Sequence, residues 1–430
     1  MSRKIDVVIC GAGIAGIAAA YHLSVKRGIK RVVIVDEREP MSLTSDKGTQ
    51  GYRNWWPGPD ATMLKLVSHS IDLMEDSAAH SGNAFRMNRR GYLFATATES
   101  KAAELEATAR QVSSYGMGEL RVHRTKGMYM PHRAEGYQDA PTGADLLLGE
   151  EARRAFPWLT PDTIAALHVR RAGWINGVSM GNWLLSKALA AGARFTRDKL
   201  TSINAAGGSV KSVTLASGDM LETERVVIAA GPALPSVLKM LDLELPIMHE
   251  LHSKVTMRDK LKSIPREAPF VIWTDPIGNL PGGVHARPVD LLHGDELYLI
   301  WTYETDVRPY KWPPQFDENY RKTCLDGCAR MVPTMKSYPA DWAGMVDGGY
   351  YCKTPENRPL VGPLPVPGAF VCGALSGSGL MAAHALGELV AQHIVQEQLP
   401  DYARWFLPSR YDDPAYRQLV DSWGPLVGQL

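Results

Sequence analysis

The chain has 430 residues, with Lys+Arg 47 against Asp+Glu 46, a formal net charge of +1 and 45% apolar residues. That length exceeds one nucleotide-binding unit and predicts two domains, one of them discontinuous, with ample volume for a core. The balanced charge, without a basic block, argues against a nucleic-acid partner; the five scattered cysteines exclude a disulfide framework, and no stretch approaches the roughly 18 apolar residues of a membrane helix.

Residues 5–36 read as an apolar strand, the run Gly11-Ala12-Gly13-Ile14-Ala15-Gly16, a helix, a second strand Val32-Val33-Ile34-Val35, and an acid at its end, Asp36. Strand, glycines, helix, strand and acid fall in the order of a dinucleotide-binding βαβ unit. Gly11 allows the tight turn, Gly13 lets the backbone approach a pyrophosphate, and Gly16 lets the helix pack on the strand. The phosphates then face the helix N-terminus, where unpaired N–H groups and the dipole favour anions. Asp36 suits the ribose hydroxyls and disfavours a 2′-phosphate. Arg3 and Lys4 before the apolar run imitate a secretory leader, but the fingerprint lies inside that run, so a strand and a cytoplasmic location are expected.

Residues 44–59 read as a polar loop ending in Tyr52-Arg53-Asn54-Trp55-Trp56-Pro57. Helical spacing follows over 61–79, a short strand over 91–95, a helix over 99–115, a turn-rich stretch over 116–143 and a short helix over 146–156. Gly173-Trp174-Ile175-Asn176 precedes a helix over 182–191. Strands are expected over 199–204, 210–215 and 224–229, the last breaking at Ala229-Ala230-Gly231-Pro232 before a helix over 235–240. Further strands are expected over 254–257, 270–273 and 296–302. In the helix over 316–331, Cys324 and Cys328 share a face, and with no second ligand pair no metal is expected. A strand over 370–373, the turn Ser376-Gly377-Ser378-Gly379 and a long helix over 380–396 close the pattern.

On these residues the chain resembles the FAD-dependent amino-acid and amine oxidoreductases of the D-amino-acid oxidase, glycine oxidase and sarcosine oxidase superfamily. The resemblance rests on Gly11, Gly13, Gly16 and Asp36; on Thr44-Ser45-Asp46-Lys47-Gly48-Thr49-Gln50; on the Ala229 to Pro232 turn; and on Trp342-Ala343-Gly344, Thr354-Pro355-Glu356-Asn357-Arg358-Pro359 and Gly373-Ala374-Leu375-Ser376-Gly377-Ser378-Gly379. It implies an α/β plus α+β protein, a Rossmann-like FAD-binding domain (1–60, 145–245 and 335–400) with a mixed-sheet substrate domain (60–145 and 245–335), and a tail over 400–430 packed on the FAD domain. FAD would be held by Gly11, Gly13, Ile14, Ala15, Gly16, Asp36, Glu37, Ser45, Gly48, Thr49, Gln50, Ala230, Gly231, Gly373, Gly377, Ser378, Gly379 and Leu380. A glycine turn opening the helix at Leu380 offers N–H groups and a positive dipole end to the flavin edge that turns anionic on reduction; an ordinary strand-to-helix turn is the other reading.

The chain departs from that family in three places. Relatives with covalent FAD place a cysteine six residues before the proline of the Thr-Pro pair; here Gly349 stands there, so the FAD is expected to be non-covalent. Met381 stands where sarcosine-oxidase-like proteins hold the substrate carboxylate with lysine. No lysine falls between Tyr298 and Tyr303, where relatives use one for oxygen, so oxygen need not be the acceptor, and oxygen or another oxidant is expected.

Oxidising an amine on a flavin removes a hydride beside a neutral nitrogen, so the protein has to orient and desolvate and needs no strong base. Arg53 is a candidate for pairing with a carboxylate, or else a solvated arginine. His285 and Arg287 lie where the resemblance implies a strand over the flavin face, and alternation puts both on one side of it; a satisfied histidine and a salt-bridged arginine are the alternatives. Lys254 is either a substitute for the missing lysine or an exposed strand residue. Tyr350, Tyr351 and Trp174 are pocket or core aromatics. The expected reaction is oxidation of the C–N bond of an amino acid or secondary amine. The rivals are 2-hydroxy-acid oxidation, a nicotinamide-dependent hydroxylase, and an FAD-binding electron-transfer or scaffold subunit.

Overall fold

The computed structural model describes residues 4–125, 127–131, 136–289, 294–339, 342 and 344–423. Ala343, part of the motif Trp342-Ala343-Gly344, and the end of the tail over 424–430 lie outside the described residues.

A six-stranded sheet carries the fingerprint. Its spatial order is Leu360–Pro363, Ala369–Gly373, Val226–Ile228, Val7–Cys10, Val32–Asp36 and Arg194–Arg197. All neighbours are parallel except the first pair. Val7–Cys10 and Val226–Ile228 are uninterrupted buried apolar runs because both faces of a parallel sheet are covered. One face packs on the helices Ile14–Tyr21, Gly177–Ala190 and Gly379–Val395. These helices approach closely because Gly387 sits against the first of them: a Cβ there would lie 2.6 Å from the Ala18 carbonyl carbon. The other face packs on a three-stranded ribbon, Leu200–Ala206, Ser209–Leu215 and Met220–Glu222, and on Leu234–Leu238.

The second sheet has nine strands, in the order Gly344–Lys353, Met248–Arg258, Glu296–Ile300, Val284–Val289, Phe270–Trp273, Tyr92–Thr96, Ala165–Val169, Ala144–Leu148 and Leu120–His123. Helix Tyr320–Met331 covers part of it, with Cys324 and Cys328 buried on its inner face as the i, i+4 spacing implies. Among the described residues no cluster of His, Cys, Asp or Glu could hold a metal ion, and no helix is long and apolar enough to cross a membrane. In the tail, Phe406 and Ala403 bury into the core of the fingerprint helices. Arg410 and Glu356 form a buried ion pair at 2.7 Å.

Several local expectations are corrected. The loop over 44–59 contains a short helix, Thr44–Lys47, and a strand, Gly51–Arg53, paired with Ala172–Trp174. The helix expected over 146–156 is a strand, Ala144–Leu148, followed by a helix, Glu150–Ala155. Leu146-Leu147-Leu148 is an apolar run that fits either state, and Gly149 at φ 55° breaks the chain between them. The long strand Gly344–Lys353 was not expected, because three glycines weaken its strand pattern. One of them is required by close packing: a Cβ on Gly348 would lie 2.3 Å from the His252 carbonyl oxygen. Because Ala144–Leu148, Ala165–Val169 and Gly344–Lys353 all belong to the larger sheet, sheet membership divides the chain differently from the expected boundaries at 145 and 335.

Candidate functional site

A cleft of about 940 Å³ runs across the end of the parallel sheet. Gly11, Gly13, Ile14, Ala15 and Asp36 line one end, and Gly373, Gly377, Gly379 and Leu380 the other. Ser45, Gly48, Thr49, Gln50, Ala230 and Gly231 lie along its walls. Gly11 has φ 112°, and a Cβ there would meet the Ala229 carbonyl oxygen at 2.3 Å. Gly16 does not line the cleft; a Cβ on it would lie 2.0 Å from the Gly11 carbonyl oxygen, so its part is close packing of helix on turn. Asp36 is held by the backbone N–H groups of Ala12 at 2.7 Å and Arg38 at 2.9 Å, which fix its carboxylate at this end of the cleft.

Two further expected cofactor residues lie off the cleft. Glu37 is exposed, 3.7 Å from Lys199, and Ser378 is buried with its hydroxyl donating to the Leu375 carbonyl at 2.8 Å. Conversely Leu43, Ala374 and Ser376 line the cleft without having been expected there. Ala374 and Ser376 adopt φ 52° and 53°, which turns this segment along the cleft.

Cations of the larger sheet hold the segment over 44–50. Lys254 donates to the carbonyls of Asp46 at 3.2 Å and Lys47 at 2.9 Å, and Arg287 Nε donates to the Thr49 carbonyl at 2.8 Å. Lys47 pairs with Asp347 at 3.1 Å. Hydrogen bonds from charged donors contribute about 1.5–3 kcal/mol each, so this segment is fixed by strands remote in sequence. Lys254 is buried, against the expectation of an exposed strand lysine, and burial lowers its pKa.

A second cavity, of about 1520 Å³, adjoins the first; Gly48, Thr49, Tyr351 and Gly377 line both. Arg53 and His285 line it, as does Tyr351, but Arg287 does not: it faces another cavity behind the segment. The Arg53 guanidinium is 5.3 Å from the Tyr92 ring and 5.8 Å from Trp56. Burial lowers its pKa, while Tyr92 and Tyr351 act the other way. Arginine stays charged, so the cavity carries a desolvated cation suited to a carboxylate.

His285 Nδ1 donates to the Gly283 carbonyl at 2.8 Å, which leaves Nε2 as a lone-pair acceptor. Burial, aided by Arg53 and His252, holds its pKa down to about 4, so the imidazole is neutral near pH 7. Tyr351 stacks on His252 with ring centroids 3.9 Å apart, and burial pushes its hydroxyl up to about 12.

Sequence reasoning missed Tyr92, Phe270, Glu250, His252 and Lys353, all of which line this cavity. Glu250 accepts from Lys353 at 2.9 Å and pairs with His252 at 3.2 Å. The i, i+2 spacings of Glu250 with His252 and of Tyr351 with Lys353 were the available signal, since alternate residues of a strand share a face. The register setting Glu250 opposite Tyr351 was not readable locally.

The folded state keeps His285 neutral, whereas the unfolded chain protonates near its ordinary value of 6.5. Stability is therefore unaffected by this group above pH 6.5 and falls by about 1.4 kcal/mol per pH unit as pH drops from there toward 4. His384, also held down to about 4 by burial, acts in the same direction. The melting temperature is expected to fall steadily between pH 6.5 and 5, and a His384→Gln variant to show a shallower fall, both read by differential scanning fluorimetry.

A glycine-lined cleft across a parallel sheet, with a second cavity at one end under a mixed sheet, defines a two-domain dinucleotide-dependent oxidoreductase. The chain belongs to the FAD dependent oxidoreductase family, whose model matches residues 6–393. The residues present fit that cofactor: Asp36 would take the ribose and the Gly11 and Gly13 turn the pyrophosphate, and the cleft continues to Gly377, where the second cavity begins.

A search of curated protein sequences returns no match. Among solved structures, L-proline dehydrogenase from P. horikoshii is similar with a TM-score of 0.78 and 21% identity, over 96% of this chain and 99% of that one. Glycine oxidase from Geobacillus kaustophilus gives 0.74 and 19%, over 94% and 98%. L-alpha-glycerophosphate oxidase from Mycoplasma pneumoniae, with FAD bound, gives 0.73 and 14%, over 93% and 98%.

Proposed function

We propose that the protein oxidises the C–N bond of a small amino acid or secondary amine to an imine. The observation that carries this reading is the cavity at the flavin end of the cofactor cleft, which sets a desolvated Arg53 and a neutral His285 around one space. FAD, when bound, supplies the hydride acceptor. Arg53 holds the substrate carboxylate in a two-pronged contact, which fixes the α-carbon relative to the cleft. His285 Nε2 accepts an N–H of the amine and orients its nitrogen. Tyr92, Phe270 and Tyr351 exclude water and favour the neutral amine over its ammonium form.

The cavity itself counts against a scaffold without turnover. The fold is shared with proteins named for amino acids and with one named for glycerophosphate, an alcohol, so a hydroxyl-bearing carbon, as in a 2-hydroxy acid, is the rival hydride donor. Formation of an oxo acid or aldehyde from an amine, with a dye as acceptor, tests the proposal; no such product from any amino acid or secondary amine would overturn it. The acceptor in the cell is oxygen or another oxidant. We place the protein in the cytoplasm, which its five cysteines, all buried free thiols, support.

The FAD is held without a covalent bond. Gly349 supplies no nucleophile, and Cys352, which lines the cleft, has its thiol pushed up to about 12 by burial. Acid precipitation is expected to leave the yellow colour in the supernatant, as measured by absorbance near 450 nm; a yellow pellet would contradict it.

A further inference from the structure

Behind the segment over 46–50 lies a third cavity, of about 700 Å³. Asp46 and Gln50 line it, whereas Lys47, Gly48 and Thr49 line the substrate cavity, and the two cavities have no lining residue in common. Gln50 also lines the cofactor cleft, so this space meets the cofactor by a different edge from the one the substrate uses.

The chemistry of its walls is distinctive. Trp174 and Tyr298 present aromatic surface, and the Arg287 guanidinium lies 5.1 Å and 4.6 Å from their rings. The first turn of helix Gly177–Ala190 faces in through Val178 and Ser179. Asn176 Oδ1 accepts from the Ser179 N–H at 2.9 Å, and Gln50 Oε1 accepts from the Gly177 N–H at 3.2 Å. With both oxygens so engaged, the NH₂ groups of Asn176 and Gln50 are the sides able to donate to a ligand. The lining holds two cationic side chains, exposed Arg86 and buried Arg287, against one carboxylate, Asp46. Aromatic walls, amide donors and this excess of cationic side chains together suit a neutral ring with carbonyl oxygens that becomes electron-rich on reduction.

We propose that this cavity binds the electron acceptor, a compound of the quinone class, apart from the amine. The proposal rests on the amine-oxidising reading for the source of its electrons. The C–H and N–H bonds of the amine break and its C=N bond forms; the two electrons and two protons released appear in the two O–H bonds of the hydroquinone. Oxygen would need neither this volume nor these donors.

The probe is duroquinone, whose ring is fully substituted and does not alkylate thiols. Its binding to oxidised holoenzyme is measured by isothermal titration calorimetry. Holoenzyme reduced by light and EDTA is also mixed anaerobically with it in a stopped-flow instrument. Wild type is expected to bind duroquinone and to reoxidise saturably. Ser179→Trp, which fills the cavity, and Arg86→Glu, which reverses a charge on its exposed side, are each expected to lose at least tenfold in binding and in reoxidation by duroquinone, with FAD content and reoxidation by oxygen unchanged. No binding to wild type, equal binding to both variants, or displacement of duroquinone by a carboxylate ligand of the substrate cavity would overturn the proposal. Photoreduction bypasses the amine, so a protein that passes here yet oxidises no amine refutes the amine reading and leaves this site standing.

Discussion

Replacing Gly11 with valine is expected to give a protein that no longer retains FAD. Gly11 has φ 112°, a region that costs a side-chain-bearing residue about 1–3 kcal/mol in backbone strain. The added Cβ would also lie 2.3 Å from the Ala229 oxygen and 2.8 Å from its carbonyl carbon. That neighbour is backbone and cannot swing aside, because the Ala229 N–H is bound to the Cys10 carbonyl at 2.8 Å and Gly11 itself donates to Val35 at 2.8 Å. Relief therefore requires the strands Val7–Cys10 and Val226–Ile228 to separate where the cleft opens. FAD per protein, from the 450 nm to 280 nm absorbance ratio, should fall at least tenfold. Gly13→Ala should disturb the fold much less, since its Cβ meets only the Ser45 hydroxyl at 3.3 Å, but should still weaken FAD retention where the backbone would approach the pyrophosphate. Equal retention of FAD by Gly11→Val and wild type would contradict the assigned geometry.

Arg53→Met is expected to lower kcat/KM for a carboxylate-bearing amine by about 100- to 1000-fold, equivalent to roughly 3–4 kcal/mol, the range seen when one partner of a buried charge pair is removed. Most of the loss should appear in KM, because the carboxylate binds alike before and during hydride removal. Arg53→Lys should recover only part, since an ammonium cannot reproduce a planar two-pronged contact. For an amine without a carboxylate the wild type and Arg53→Met should differ little. Steady-state kinetics on a matched pair of amines reads this directly, and an equal loss on both would remove Arg53 from carboxylate binding.

The cofactor end was legible in the sequence because its signals are local. Gly11, Gly13, Gly16 and Asp36 lie within one βαβ unit, and each role follows from backbone sterics or capping. The substrate end was legible only in fragments. Alternation correctly set His285 and Arg287 on one side of their strand, but it could not tell that the segment over 46–50 passes between them, giving His285 to the substrate cavity and Arg287 to the Thr49 carbonyl. Tyr92, Phe270 and Glu250 converge through the order of a nine-stranded sheet assembled from distant parts of the chain, and no local pattern encodes that order. The strand Gly344–Lys353 went unassigned, because its glycines weaken a strand pattern, yet Gly348 in particular lets two backbones come close.

The central claim, hydride removal from a carbon beside nitrogen, is tested most directly by anaerobic titration of the holoenzyme with amino acids, secondary amines, 2-hydroxy acids and NAD(P)H in parallel, following absorbance at 450 nm. Bleaching by at least one carboxylate-bearing amine, with none by its 2-hydroxy counterpart or by the nicotinamides, is the predicted result. Bleaching by a 2-hydroxy acid or by NAD(P)H while every amine leaves the flavin oxidised would contradict it.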